Sequence, residues 1–386
     1  MRTGESTVEF DRRRYSAVEI LEPVDVVVSG GGVGGVACAA ALAECGLKVA
    51  VVERRGALGW EVGRARRVFL NLEQAAASSA FAAELHRRLV ELGAYKAGVI
   101  HAPIAEIVFD RMAVERGIEP LFHAWPVAAV RGEGADGEAE SASDTAAPVA
   151  KAAAAEGAAD GNGALGLLVA TKEGYGLIRA RAVVETDELG RLVDRALRAP
   201  LAPRPVRRSL VLGGVDAAAL EEEAERGTLR SAAERAQVDV RPIGDRFVQV
   251  DVSLTEPDYA ERERAFPAVV RRTLEALRAS HPAFAAAGIV YIADDEWGGP
   301  SFTLGAGAAR AQNPANGAPA GVLFTRGASG IESREIGAGE LVFDGRVILA
   351  GPWLPGFVEA SNTEEVDVLN RICLGEAAAR LAASVL

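Results

Sequence analysis

Three glycines close to the N-terminus have the spacing of a phosphate-binding turn. They follow an apolar run at residues 25–28 and precede an alanine-rich stretch that stops at Gly46. In such a turn the first glycine permits the tight bend, the second lets a pyrophosphate approach, and the third lets helix and strand pack closely. The start of the helix then offers free N–H groups and the positive end of its dipole to phosphates. The spacing predicts a dinucleotide site formed by these candidate residues: Gly30, Gly32, Val33, Gly34 and Gly35.

An acidic residue ends the second apolar run of the chain. Glu53 follows residues 49–52, and the stretch from Val24 to Glu53 is typical of a strand–helix–strand unit. A carboxylate at this position accepts both ribose hydroxyls of an adenosine and disfavours a 2′-phosphate by like charge. Arg54, the next residue, is a further cofactor-binding candidate. The alternative interpretation is a glycine-rich turn before an alanine-rich helix, with an acid at its end by chance.

A basic segment follows the second strand. Arg64, Arg66 and Arg67 are candidates for pairing with a phosphate or with a substrate carboxylate. We take Arg64 as the cofactor-binding candidate among them. The alternative is a solvated basic loop.

The composition excludes several classes of protein. The chain has 386 residues, 49% of them hydrophobic, and a net charge of −12. That charge has the wrong sign for sequence-independent nucleic-acid binding. The chain has three cysteines and no Cys-x-x-Cys pair, so we expect no disulfide framework. Its four histidines are widely spaced, so we expect no metal site. No stretch approaches the ~18 apolar residues of a membrane span. We expect a cytoplasmic protein that acts on a small molecule, and no catalytic residue or oligomeric state is indicated.

The glycine turn, its helix and Glu53 together resemble the adenine-dinucleotide signature of FAD-dependent oxidoreductases of the glutathione-reductase-like branch. The resemblance implies FAD as the cofactor, with its pyrophosphate at the glycines and a ribose at Glu53. We expect the FAD to be bound noncovalently, because no cysteine or histidine sits in a recognisable flavin-attachment motif. The resemblance further implies that the backbone of Val127 meets the adenine, and that the C-terminal strand and helix meet the flavin at Gly351 and Pro352. This distant C-terminal element favours FAD over NAD, because an NAD dehydrogenase of this kind has no reason to return to the cofactor at its last helix.

The same resemblance implies an α/β fold. The expected architecture is a Rossmann-like FAD-binding domain, with a parallel sheet, helices and a β-meander, and an inserted α+β substrate domain. The FAD-binding domain is expected at residues 20–130, 164–196 and 336–386, and the substrate domain at residues 197–335. Residues 131–163 lack large apolar side chains and carry seven acids against two bases, which predicts a flexible acidic insertion.

Local patterns predict several further elements. Apolar spacing favours helices over residues 72–92, 217–225 and 259–279, and a last helix from about Thr363 to Val385. A strand pair over residues 118–130 is expected to break at Trp125-Pro126. Cys38 and Cys45, on the alanine-rich helix, are expected to pack in the interior.

Two departures from the family pattern bear on the cofactor. Residues 184–190 place three acids where the family has an Ala-Thr-Gly turn, and these would repel a pyrophosphate if they pointed inward. Pro352 has no N–H to donate. We interpret the chain as an FAD-dependent oxidoreductase that transfers hydride between a small-molecule substrate and flavin N5. The alternatives are a non-catalytic flavin- or nucleotide-binding paralogue, suggested by these departures, and an NAD-dependent dehydrogenase, disfavoured by the C-terminal element.

Overall fold

A computed structural model shows how these segments are arranged. It describes residues 18–131, 165–193, 197–202, 206–216, 238–243, 246–256, 258–305, 319–327, 330–337, 341–344, 346–361 and 363–386.

Strands and helices are numbered here in chain order through the described residues. The strands are β1 Val18–Glu19, β2 Val24–Ser29, β3 Val49–Glu53, β4 Tyr95–Lys96, β5 Val99–Ile100, β6 Glu119–Phe122, β7 Trp125–Arg131, β8 Leu165–Thr171, β9 Gly174–Glu185, β10 Arg198–Pro200, β11 Val206–Gly213, β12 Val238–Pro242, β13 Phe247–Leu254, β14 Gly288–Ile292, β15 Phe302–Leu304, β16 Pro319–Gly327, β17 Gly330–Gly337, β18 Val342–Asp344 and β19 Val347–Leu349. The helices are α1 Val33–Glu44, α2 Trp60–Gly63, α3 Leu72–Ala76, α4 Ala80–Glu91, α5 Ala102–Glu115, α6 Tyr259–Ser280, α7 Pro355–Ala360 and α8 Glu364–Ser384.

Parallel strands form the middle of the larger sheet. β2 lies between β3 and β9, with β6 beside β3 and β19 beside β9, and all of these neighbours are parallel. The apolar runs of β2 and β3 are buried, as expected for parallel strands covered by helices. β7, β8 and β9 pair in antiparallel order and form the predicted meander. The carboxyl ends of β2, β3, β9 and β19 therefore meet at one edge of the sheet.

Helices α1 and α8 pack closely against each other. A Cβ atom at Gly375 would overlap the carbonyl oxygen of Gly34, so both glycines are needed at this contact. α8 begins where the Thr363 side chain accepts a hydrogen bond from the Val366 N–H, which is a typical N-cap. This start and the C-cap at Val385 confirm the predicted last helix.

A second sheet, with antiparallel strands, is separate from the larger sheet. Its strand order is β12-β13-β11-β14. α6 packs against this sheet through Phe266, Val270 and Leu277, which join the valines of β13 in a separate apolar core. A parallel α/β unit with an added α+β unit is the fold class that the sequence predicted. The residue boundaries of the domains stay a prediction.

Two helical predictions are wrong in part. Residues 72–92 form two helices, α3 and α4, because the Ser79 side chain accepts the Ala82 N–H and so caps a new helix start. Cys38 is buried as expected, but Cys45 is exposed because it is the C-cap residue of α1, beyond the packed turns.

The predicted break between two strands is also misplaced. It falls at His123 and Ala124, where His123 has a φ of 55°, and Trp125 and Pro126 belong to β7. Antiparallel pairing tolerates Pro126 because the β7–β8 register shifts directly after it. Two predicted segments, the acidic insertion after Arg131 and the helix at 217–225, lie outside the described residues.

Candidate functional site

The glycine turn lies at the carboxyl edge of the parallel sheet, between β2 and α1. Gly30 has a φ of +104°, a left-handed backbone conformation that favours glycine. A Cβ at Gly35 would overlap the Gly30 carbonyl oxygen, which is the close helix–strand contact that the spacing predicted. α1 starts at an N-cap, Gly32, that has no side chain to accept from the first turn. Its N–H groups therefore need partners from elsewhere.

Glu53 lies directly beneath this turn. Its side chain is buried, with one carboxylate oxygen accepting the Gly31 N–H at 2.7 Å and the other accepting the Arg55 N–H at 2.8 Å. Burial raises the pKa of Glu53 above its ordinary value, and the Arg55 guanidinium opposes that rise. The structure thus gives Glu53 a role that the sequence did not indicate, because its carboxylate fixes the backbone of the turn.

A second carboxylate, that of Glu61 in α2, lies on the N-terminus of α1. Its Oε2 accepts the Val33 N–H at 2.9 Å, and the side chain is only 2% exposed. A Cβ at Gly32 would overlap Oε1 of the same carboxylate. Burial raises the pKa of Glu61 to about 7, while the Arg371 guanidinium acts in the opposite direction.

Arg371 reaches this carboxylate from α8. Its Nη1 lies 3.5 Å from Glu61 Oε1, and its Nε donates to Asp367 at 2.7 Å, one helical turn earlier. The main-chain oxygen of Arg371 faces Gly34, where a Cβ would lie 2.7 Å from it. Sequence reasoning missed both Glu61 and Arg371. The available signal was an acid inside the apolar run 57–62, where an unpaired charge would be costly.

Of the three acids at the end of β9 and just after it, two point inward. Glu185 and Asp187 are buried, and burial together with Glu188 raises the pKa of Asp187 to about 7. Glu188 behaves differently: it is half-buried, which raises its pKa, but ion pairs with Arg54 and Arg55 outweigh this and hold the pKa below the ordinary value. Arg54 therefore neutralises an acid of the chain itself.

Thr186 holds this acidic turn against the glycine turn. Its backbone N–H donates to the carbonyl oxygen of Ser29, and its hydroxyl lies 3.0 Å from the Gly30 carbonyl oxygen. A Cβ at Gly30 would lie 2.8 Å from the backbone nitrogen of Asp187. The two turns are therefore in direct backbone contact.

The C-terminal element returns to the same place. Trp353 is fully buried, donates from Nε1 to the Asp187 carbonyl oxygen at 3.0 Å and stacks on Phe302. Gly351 lies against the Trp353 ring, and Pro352 lines the cavity beside the glycine turn. Trp353 packs as an ordinary core residue here.

Two other predicted site residues lie elsewhere. Arg64 is 40% exposed and pairs with Glu106 and with Asp294, the latter at 2.9 Å, so its charge is satisfied away from the turn. Val127 is half-buried in β7, at the point where the register to β8 shifts. The structure does not bring Arg64 to the cavity beside the glycine turn.

The space in front of α1 is small. The cavity there has a volume of about 10 Å³, which is room for about one water molecule. Its walls include Gly32, Glu61, Asp187, Pro352 and Arg371. The turn and its acidic neighbours therefore close on one another in this conformation.

Neither a metal-binding group nor a membrane-spanning helix is present in the described ranges. No group of three His, Cys, Asp or Glu side chains within those ranges is placed to hold a metal ion. No helix in the same part of the chain is both long and apolar enough to cross a membrane.

Comparison with known proteins gives one family match. The model of a family described as FAD dependent oxidoreductase matches residues 25–197. No curated protein matches the chain.

Solved structures are similar at low identity. Aklavinone-11 hydroxylase in complex with FAD and aklavinone is 15% identical, with a TM-score of 0.46 over 87% of this chain and 58% of that one. This chain thus spans little more than half of the hydroxylase. The p-nitrophenol 4-monooxygenase PnpA from Pseudomonas putida DLL-E4 is 13% identical, with a TM-score of 0.46 and coverages of 93% and 77%. A geranylgeranyl bacteriochlorophyll reductase-like protein from Thermoplasma acidophilum is 13% identical, with a TM-score of 0.49 and coverages of 94% and 79%.

Proposed function

We propose, from the premise that this chain belongs to the FAD-dependent oxidoreductase family, that it binds FAD at the Gly30–Gly35 turn and oxidises or reduces a small-molecule substrate. FAD is the cofactor of that family. The observation that carries the proposal is the position of α1. It starts at a glycine turn on the carboxyl edge of a parallel sheet, where α/β folds bind their ligands.

The donor set at this edge fits the adenosine half of FAD. Gly32 places no side chain of its own in front of α1, and Gly35 lets that helix pack against the turn. The first turn of α1 offers N–H donors and a positive dipole end. Glu53 Oε2 accepts one backbone N–H, that of Gly31, and keeps a second lone pair for a ribose hydroxyl. Oε1 accepts the Arg55 backbone N–H and also lies 3.4 Å from Arg55 Nη1. The proposed holders of the cofactor are the turn backbone and Glu53.

The C-terminal segment supports FAD over NAD. β19 lies beside β9, and Pro352 shares a cavity with Gly30 although they are far apart in sequence. A cofactor at the glycine turn would therefore also meet the end of the chain. Bound FAD would supply the two-electron acceptor or donor at its N5 atom, and the protein would position the substrate and exclude water.

A simple measurement tests the proposal. Purified protein, or protein refolded with added FAD, should show the visible absorbance of a flavin. Heat or acid should release all of this flavin into the supernatant, because the attachment is noncovalent. Flavin that stays with the precipitated chain would contradict noncovalent binding, and absence of any flavin binding would contradict the proposed function.

The second candidate is a non-catalytic nucleotide-binding paralogue. The altered turns at residues 185–190 and at Pro352 favour it, because both depart from the family pattern around the cofactor and both line the cavity beside the glycine turn. A protein of this kind would gain nothing from the flavin ring. It would bind ADP as tightly as FAD, whereas an oxidoreductase should bind FAD more tightly, and calorimetric titration with both ligands separates the two.

A further inference from the structure

The N-terminus of α1 already holds an anion that belongs to the chain. The N-cap Gly32 has no side chain, and the Val33 N–H behind it donates to Glu61 Oε2 at 2.9 Å. α1 is 12 residues long, so its dipole places partial positive charge at this point. A carboxylate of the protein thus takes the place that the glycine turn leaves open for a phosphate.

Two groups hold the Glu61 carboxylate in that place, the Val33 N–H of α1 and the Arg371 guanidinium of α8. Arg371 of α8 pairs with it, and the guanidinium of Arg371 also lies 4.9 Å from the Trp297 ring centroid. Trp60, the residue before Glu61, lies against the same Trp297 ring at a centroid distance of 6.0 Å. The Glu61 side chain is only 2% exposed. It is therefore a buried, paired carboxylate and not an ordinary surface acid.

Glu61 and a pyrophosphate exclude each other at this position. Both accept the same Val33 N–H, so they cannot occupy it together, and where the Glu61 carboxylate is ionised the two groups also repel each other by like charge. The carboxylate also fills the space in front of the N-cap, since a Cβ at Gly32 would overlap Glu61 Oε1.

We propose that Glu61 is an intramolecular competitor for the cofactor: its carboxylate occupies the pyrophosphate position on α1 and must leave before FAD binds. Arg371 then loses one of its two carboxylate partners and is free to pair with a phosphate, while Asp367 continues to hold its Nε. The inference rests on the proposed function. It adds that this chain binds FAD more weakly than its own glycine turn allows.

Calorimetric titration of flavin-free protein tests the inference. The proteins are the wild type, Glu61→Ala and Glu61→Gln, and the ligands are FAD and adenosine. FAD affinity should rise about ten- to a hundredfold in Glu61→Ala, the range expected for one charge-assisted hydrogen bond, and by less in Glu61→Gln. Adenosine has no phosphate, so its affinity should be the same in all three proteins.

Glu84→Gln is the matched control. Glu84 is also a partly buried carboxylate paired with arginines, Arg88 and Arg116, but it lies on α4 away from the turn. This variant should bind FAD as the wild type does. Circular dichroism establishes that each variant is folded, and Glu61→Gln, which keeps the shape of the side chain, carries the test if Glu61→Ala does not fold.

The outcomes separate the two proposals. If the wild type binds FAD and neither Glu61 variant binds it more tightly, the competitor role is wrong and the proposed function stands. If the folded wild type and the folded variants all fail to bind FAD, both are wrong. Equal gains for FAD and adenosine would also refute the role, because relief of competition acts on phosphates only.

Discussion

Arg67 and Asp251 form a buried ion pair at 3.1 Å that joins the segment after α2 to strand β13 of the second sheet. Ser209 lies between them on β11, and Gln249 donates to the same Asp251 oxygen at 3.0 Å. Arg241 pairs with the other oxygen of Asp251. Arg67, considered from the sequence as a partner for a phosphate or a substrate, therefore ties two parts of the fold together.

Replacement of Arg67 by Met should lower the free energy of unfolding by about 3 kcal/mol, because Asp251 stays buried with one arginine instead of two. Urea unfolding measures this change. Arg87→Met is the control, since Arg87 forms an exposed pair with Glu91 within one helix, and its loss should change stability by less than about 0.5 kcal/mol. Equal effects of the two substitutions would show that the buried pair contributes nothing.

Glu53→Ala should weaken FAD binding about ten- to more than a hundredfold, since it removes charge-assisted hydrogen bonds worth ~1.5–3 kcal/mol. FMN has no adenosine, so binding of FMN should hardly change. Because Glu53 also accepts from Gly31, the Glu53→Gln variant, which keeps an acceptor, should lose less affinity than Glu53→Ala. Calorimetric titration with FAD and FMN measures these affinities. Equal FAD affinity in the wild type and Glu53→Ala would place Glu53 outside the cofactor site.

Stability should depend on pH through Glu61. Its pKa rises from an ordinary 4.5 to about 7 on folding, because burial outweighs the opposing effect of Arg371, and Glu188 adds to the rise. The folded state therefore binds the proton more tightly, so the contribution is fully present below pH 4.5 and is lost as the pH rises through about 7.

In the Glu61→Gln variant, position 61 carries a neutral amide that does not titrate. The unfolding free energy of this variant should exceed that of the wild type increasingly between pH 5 and pH 8, by up to about 3 kcal/mol. Asp187, whose pKa is also about 7, titrates in both proteins and cancels in the difference. Urea unfolding across this pH range measures the difference, and parallel curves for the two proteins would contradict the assignment.

Gly35→Ala should destabilise the fold by at least about 2 kcal/mol, because the new methyl group overlaps the Gly30 carbonyl oxygen and the backbone must shift. Gly288→Ala is the matched control, since a Cβ there meets no atom within 4 Å. Its unfolding free energy should equal that of the wild type or exceed it slightly. Thermal unfolding of both variants tests the close contact directly.

Local signals in the sequence determined the unit that carries the glycine turn. Spacing of Gly30, Gly32 and Gly35 between an apolar run and an alanine-rich run predicts strand, turn and helix because each of these patterns is short-range. The last helix was predictable for the same reason, since Thr363 caps it locally. Local patterns were insufficient at Trp125-Pro126, where a proline predicts the end of a strand. The strand continues there because the antiparallel pairing of β7 with β8 accommodates Pro126.

Only the tertiary structure decided what faces the turn. Glu61 and Arg371 are 310 positions apart. They meet because α2 places Glu61 at the N-terminus of α1, and α1 packs on α8 through Gly34 and Gly375. Nothing in the residues around either one indicates the other, since a buried ion pair depends on how separate elements are packed and not on local spacing. The sequence therefore determined that a glycine turn joins the first parallel strand to α1, whereas long-range packing decided that a carboxylate of the same chain lies on it.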